Sequence, residues 1–217
     1  MVGASANFDT MITPVVVDAL RLRWFVPPEV GETVRWGLLW NVDSPRRWAV
    51  AEPAWVSTAE VRTSSKPLKW RLPRDGSDIR EPVQPAIGRV GALQFMFDAE
   101  PPVPSRIDAA GALQLCAGTP RDGTNARQAW IDFDENASTT GVVRRLRLMS
   151  LESDMLPDPK FPHGPSWGWA TTQFVPGSER FYELARAPRA LRSYQLTDRE
   201  WGPRREDFLL VDLETAS

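Results

Sequence analysis

The run "VRWGLLW", residues 34–40, decides the fold. Successive side chains of a strand point to opposite faces, so Val34, Trp36, Leu38 and Trp40 travel together, against Arg35, Gly37, Leu39 and Asn41. Both tryptophans fall with the apolar set. They are expected to fill a β core rather than form a stacking platform for a ligand, because large aromatics dominate such cores and an indole N–H needs only one partner.

Outward from this run the same period-two alternation recurs in "VVVDALRLRWF", "AWVSTAEVRT", "LKWRL", "GRVGALQFMF", "RIDAAGALQL", "QAWIDF", "GVVRRLRLMSLE", "WGWATTQF", "LRSYQLT" and "DFLLVDL". The connections, among them "LPRDGSDIREPVQPAIG" and "SDMLPDPKFPHGPS", hold many of the chain's 20 prolines together with Gly, Asp and Asn, the residues that turns require. The only helix-like window, "ERFYELARAPRAL", is interrupted by Pro188. The pattern predicts an all-β fold, a barrel or sandwich of about ten short antiparallel strands with Pro-rich loops and little helix. With 217 residues, one domain over 1–217 is expected. The alternative is two small β domains, 1–104 and 105–217, divided near "AEPPVPS". The tetrapeptide "GALQ" stands on both sides of that segment, at Gly91–Gln94 and Gly111–Gln114, twenty residues apart, as arms of a long hairpin or as a chance match.

Parity also places Trp24 with Leu20 and Leu22, Trp55 with Ala59 and Val61, and Trp70 with Leu68 and Leu72, all as core. "RQAWIDFDEN" breaks the pattern. Read as a strand, its apolar phase is Ala129, Ile131 and Phe133, which leaves Trp130 on the polar face with Asp132 and Asp134. An exposed tryptophan flanked by acids suits a binding surface. A second exposed pair, Arg145 with Arg147, falls on one phase of "GVVRRLRLMSLE", with Arg144 on the apolar phase as a paired group or a bulge. Were the two strands neighbours, these arginines and aspartates would simply pair across them.

Composition narrows the chemistry. The 26 basic and 28 acidic residues give a net charge of −2, so no global field attracts nucleic acid or a membrane surface. The single cysteine, Cys116, forms no intramolecular disulfide and suits a reducing cytoplasm. No window approaches the ~20 apolar residues of a membrane helix, and the first residues lack the pattern of a secretory signal. One cysteine and one histidine cannot build a structural zinc site. The acidic turn "DFDEN" has oxygen ligands but neither the glycine nor the terminal glutamate of an EF-hand loop, and no metal or cofactor is expected. Nucleotide-binding and nucleophile-elbow signatures are absent.

Two segments carry a resemblance. "VGETVRWGLLW" (Val30–Trp40) and "STTGVVRRLRLMS" (Ser138–Ser150) resemble the G-x-x-V-x-W-x-L and T-x-G-x-V-x-R-I stretches of small, uncharacterised all-β proteins from actinobacteria. In that family an HHG stretch precedes the second motif, where this chain reads "FDENAS". The resemblance implies a barrel-like domain and no particular activity.

Taken together, the sequence leads to a non-catalytic cytoplasmic protein that binds another protein, as an accessory, immunity or assembly component. Its candidate contact residues are Trp130, Asp132, Asp134, Arg145 and Arg147, and its oligomeric state is open. Two alternatives stand beside it. One is an enzyme whose site is the loop around His163, "KFPHGPSWGW", with Asp154 or Asp158 as acid or base. The other is an OB-like barrel that binds single-stranded nucleic acid, suggested by arginines alternating with aromatics.

Overall fold

A computed structural model describes residues 10–41, 55–71, 81–124, 126–155, 172–198 and 202–217. The elements run β1 (Thr10–Val17), α1 (Ala19–Trp24), β2 (Thr33–Leu39), β3 (Trp55–Thr63), β4 (Lys69–Arg71), β5 (Glu81–Val90), β6 (Leu93–Ala99), β7 (Arg106–Gly111) and β8 (Leu113–Ala117). There follow α2 (Ala126–Asp132), a single 3-10 turn at Glu135–Ala137, β9 (Ser138–Met155), β10 (Thr172–Phe174), β11 (Arg180–Glu183), β12 (Ser193–Gln195) and β13 (Arg204–Ala216). The fold is all-β, a closed barrel core with extra strands.

The barrel closes on five strands. β2 pairs with β8, β8 with β1, β1 with β13, β13 with β9, and β9 returns to β2. Each antiparallel junction reverses strand direction, so a ring of five cannot be antiparallel throughout. β1–β8 is the parallel junction that resolves the parity. Inside lie Val15, Val17, Leu38, Leu146, Leu209 and Val211, all buried. The two segments that carry the family resemblance are direct neighbours here, with Thr33 opposite Val142 and Gly37 opposite Ser138.

A second path leaves β2 for β6, β5, β3 and β7, joining residues on both sides of position 104. β7 runs on into β8 through a corner at Gly111, whose φ of 89° lies in the left-handed region that favours glycine. Trp40 bridges this path. Its backbone N–H donates to Met96 at 2.8 Å and its indole Nε1 to the Ala110 carbonyl on β7 at 3.0 Å. The ring packs against Phe97 at 5.9 Å, and Trp55 packs edge-on to Phe95 at 5.9 Å. Val34, Trp36, Leu38 and Trp40 are all buried, as their shared phase implies.

Several local expectations are corrected. "VVVDALRLRWF" is not one strand. Asp18 accepts a hydrogen bond from the Arg21 N–H at 2.7 Å and so caps α1, which turns Leu22 into the core, leaves Leu20 exposed and holds Trp24 half-buried. Trp70 is exposed with Leu68, because β4 is three residues long and its ladder runs to β5. "ERFYELARAPRAL" supplies β11 and an irregular connection rather than a helix. The two "GALQ" copies do not pair. Each glycine has positive φ and each leucine is fully buried, so they mark two separate corners. Arg144 sits at the register shift of the β9–β13 ladder and pairs with Glu214 at 2.6 Å, which puts the bulge and the ion pair at one residue. Among the described residues no helix is long and apolar enough to cross a membrane.

Candidate protein-binding surface

The segment "QAWIDF" forms part of α2, not a strand. The physical reason is a spacing that alternation conceals. Ala126, Ala129, Trp130 and Phe133 stand at i, i+3, i+4 and i+7, one face of a helix, and alanine is the strongest helix former. Ala126, Ala129 and Phe133 are buried, and Trp130 is half-buried against them.

This helix docks on the outer face of β2. Phe133 packs over Gly37, where a Cβ would stand 3.0 Å from the phenyl ring and 2.9 Å from the Ala117 methyl. Trp130 meets Phe133 edge-on at 5.8 Å, donates its indole N–H to the Gly118 carbonyl at 2.8 Å, and carries the Arg35 guanidinium over its ring at 5.7 Å. The face of β2 opposite the core is therefore covered here too. Trp130 keeps company with an arginine and a phenylalanine, and the expectation of an exposed tryptophan between two acids does not hold.

Asp134 is buried rather than exposed. Its carboxylate accepts hydrogen bonds from the Ser64 hydroxyl at 2.9 Å, the Ser65 amide at 3.0 Å, the Ser65 hydroxyl at 2.9 Å and the Asn136 amide at 3.0 Å. Burial alone raises a carboxyl pKa, but these donors outweigh it and hold Asp134 well below the usual carboxylate range. The group is a staple between the β3–β4 connection and the 3-10 turn, its oxygens already filled. Asp132 ends α2, and its side chain lies outside the described residues.

Ile131 takes the outward position, 64% exposed. Its carbonyl accepts from the Lys66 ammonium, so the β3–β4 connection runs beside it. Leu68 and Trp70 follow two and four residues later, 44% and 60% exposed. The exposed apolar side chains here are Ile131 on α2 and, beyond the Lys66 contact, Leu68 before β4 and Trp70 on it.

The two arginines lie elsewhere, on the β9–β11–β13 sheet. Arg145 is exposed and ion-paired with Glu183, and reaches Asp212 at 3.9 Å. Arg145 donating to Glu183, with the charges of both arginines, holds that carboxyl below its ordinary range. Arg147 is buried, bonded to Asp212 at 2.6 Å and placed over the Phe181 ring at 5.8 Å. It shares a phase with Arg145 as expected but not its exposure, because Asp212 and Phe181 enclose it. Trp130 and Asp134 thus lie on and just after α2 with separate partners, and Arg145 and Arg147 form a cluster of their own on β9.

His163 and Asp158 lie outside the described residues. Asp154 stands on β9 opposite Gln173. Among the described residues no group of His, Cys, Asp and Glu converges to hold a metal ion. Comparison of the chain with known protein families, characterised proteins and solved structures finds no match.

Proposed function

We propose that the chain acts as a single all-β unit in the cytoplasm and works without catalysis, by binding another protein as an accessory, immunity or assembly component. The observation that carries this reading is the exposure of three large apolar side chains, Ile131 on α2 and Leu68 and Trp70 on the segment that Lys66 ties to it. Their support is rigid because Phe133, Trp130 and Asp134 fix α2 and the β3–β4 connection to the barrel. An exposed tryptophan on a preorganised support is a usual anchor of protein interfaces, and apolar neighbours exclude water around it.

Trp130 and Asp134 serve this surface from beneath, as positioning groups. Arg145, through its pair with Glu183, borders a different part of the sheet. The test is affinity capture from the native host with the wild-type chain and with a W70A/I131D variant. The reading expects a protein retained by the wild type and lost by the variant at unchanged Tm. An identical set of captured proteins from both chains would defeat it.

A further inference from the structure

Between β11 and β12 the chain reads "LARAPRALR", residues 184–192. β11 pairs with β9 and β12 pairs with β13, so this connection crosses the β9–β13 pair from one edge to the other. It crosses on the core side, because Leu184, Ala187 and Leu191 pack against the main hydrophobic cluster, to which Leu146 and Leu209 belong. Its ends are pinned by backbone hydrogen bonds, from the Leu184 N–H to Leu146 at 3.0 Å and from the Asp207 N–H to Arg192 at 2.9 Å.

With the apolar residues turned in, Arg186, Arg189 and Arg192 are left exposed, one every third residue. They lie along a connection that bends at Ala185, Arg186 and Arg189. Among the described residues none of the three makes an ion pair or a side-chain hydrogen bond. The sequence has no acid between Glu183 and Asp198; Glu183 and Glu152 pair with Arg145 and Arg205, which leaves Asp207, bonded through its N–H to the Arg192 carbonyl, as the acid beside one end of the row. Tyr182 and Tyr194, each 51% exposed, stand at the two ends on the same face that the connection covers. The result is a row of exposed arginines on an anchored backbone, between two exposed tyrosines.

We infer that this row docks an acidic segment of a partner protein, with its carboxylates spaced along the segment rather than adjacent. It is a second surface, separate from the apolar one on α2. Guanidinium forks engage carboxylates in bidentate fashion, and the anchored backbone beneath them has little freedom left to lose on binding. A net charge of −2 and a pI near 5.6 give the whole molecule no long-range attraction for a nucleic-acid polyanion, which favours a short acidic peptide over a nucleic-acid strand.

The test uses the full chain and three fluorescent probes: the peptide (Glu-Pro-Ala)4, a peptide of equal composition with its glutamates adjacent, and an oligo-dT of similar length. The periodic peptide is expected to bind tighter than the clustered one, and to be released as salt rises to ~0.5 M. An R186A/R189A/R192A variant should lose about tenfold in affinity with unchanged Tm, since each exposed pair contributes modestly. If alanine lowers Tm, the R186Q/R189Q/R192Q variant gives the same comparison. No binding of the periodic peptide, equal binding of both peptides, or tighter binding of oligo-dT each overturns the inference, the last in favour of a nucleic-acid surface.

Discussion

The Asp134 carboxylate takes four hydrogen bonds in a buried setting, and that makes one residue a pH-sensitive fastener. Its folded pKa lies below the unfolded one, so its contribution is fully present above the ordinary carboxylate range and is lost as pH falls through the folded value. Asp134→Asn is expected to lower unfolding free energy by about 2 kcal/mol at neutral pH, the scale of hydrogen bonds to a charged group. In urea titrations the gap between wild type and variant should narrow below about pH 3. A gap unchanged across the range would show that the charge is irrelevant. The carboxylate itself was visible in the sequence, but its burial was not. Its serine partners lie about seventy residues away, and no local pattern announces them.

Among the elements, β2 was the most legible and α2 the least. Alternation assigned Trp36 and Trp40 inward because a strand with one wet face repeats every second residue. The same rule misread "QAWIDF", a segment short enough to fit both periods. The pair of alanines at 126 and 129 was the overlooked signal, and the misreading displaced the exposed apolar position by one residue, from Trp130 to Ile131. Parity also left Gly37 on a solvent face, whereas Phe133 occupies the space a side chain would fill. Gly37→Ala should therefore cost about 1–3 kcal/mol through overpacking. Trimming Phe133 to Leu in the same chain should recover part of that loss, a coupling expected only for residues in contact. Additive losses in a chemical-denaturation cycle would separate α2 from β2.

At the scale of the molecule, strand content and turn chemistry made the all-β class readable, but ring order depends on pairings between distant segments. The parallel β1–β8 junction follows from closing an odd ring, a consequence of strand number rather than of any residue. Stability should follow the same division. Amide hydrogen exchange is expected to be slowest in the buried ladders of β2, β8, β9 and β13 and fastest in the three-residue strands β4, β10 and β12. Comparable protection of β4 and β2 would contradict a stable ring carrying looser additions. That contrast matters for function, because the proposed surface joins an exposed segment at β4 to a helix fixed on the ring.

The direct measurement is site-specific photo-crosslinking in the native host, with a photoreactive phenylalanine analogue at position 131 and, as control, at Val56. Val56 is 74% exposed on β3, six residues from Arg62, whose guanidinium reaches Asn136; that is roughly 20 Å along the strand. Crosslinking of a defined partner protein from position 131 and not from position 56 is the predicted result. Equal crosslinking from both positions, or none from 131, would contradict a binding surface on α2.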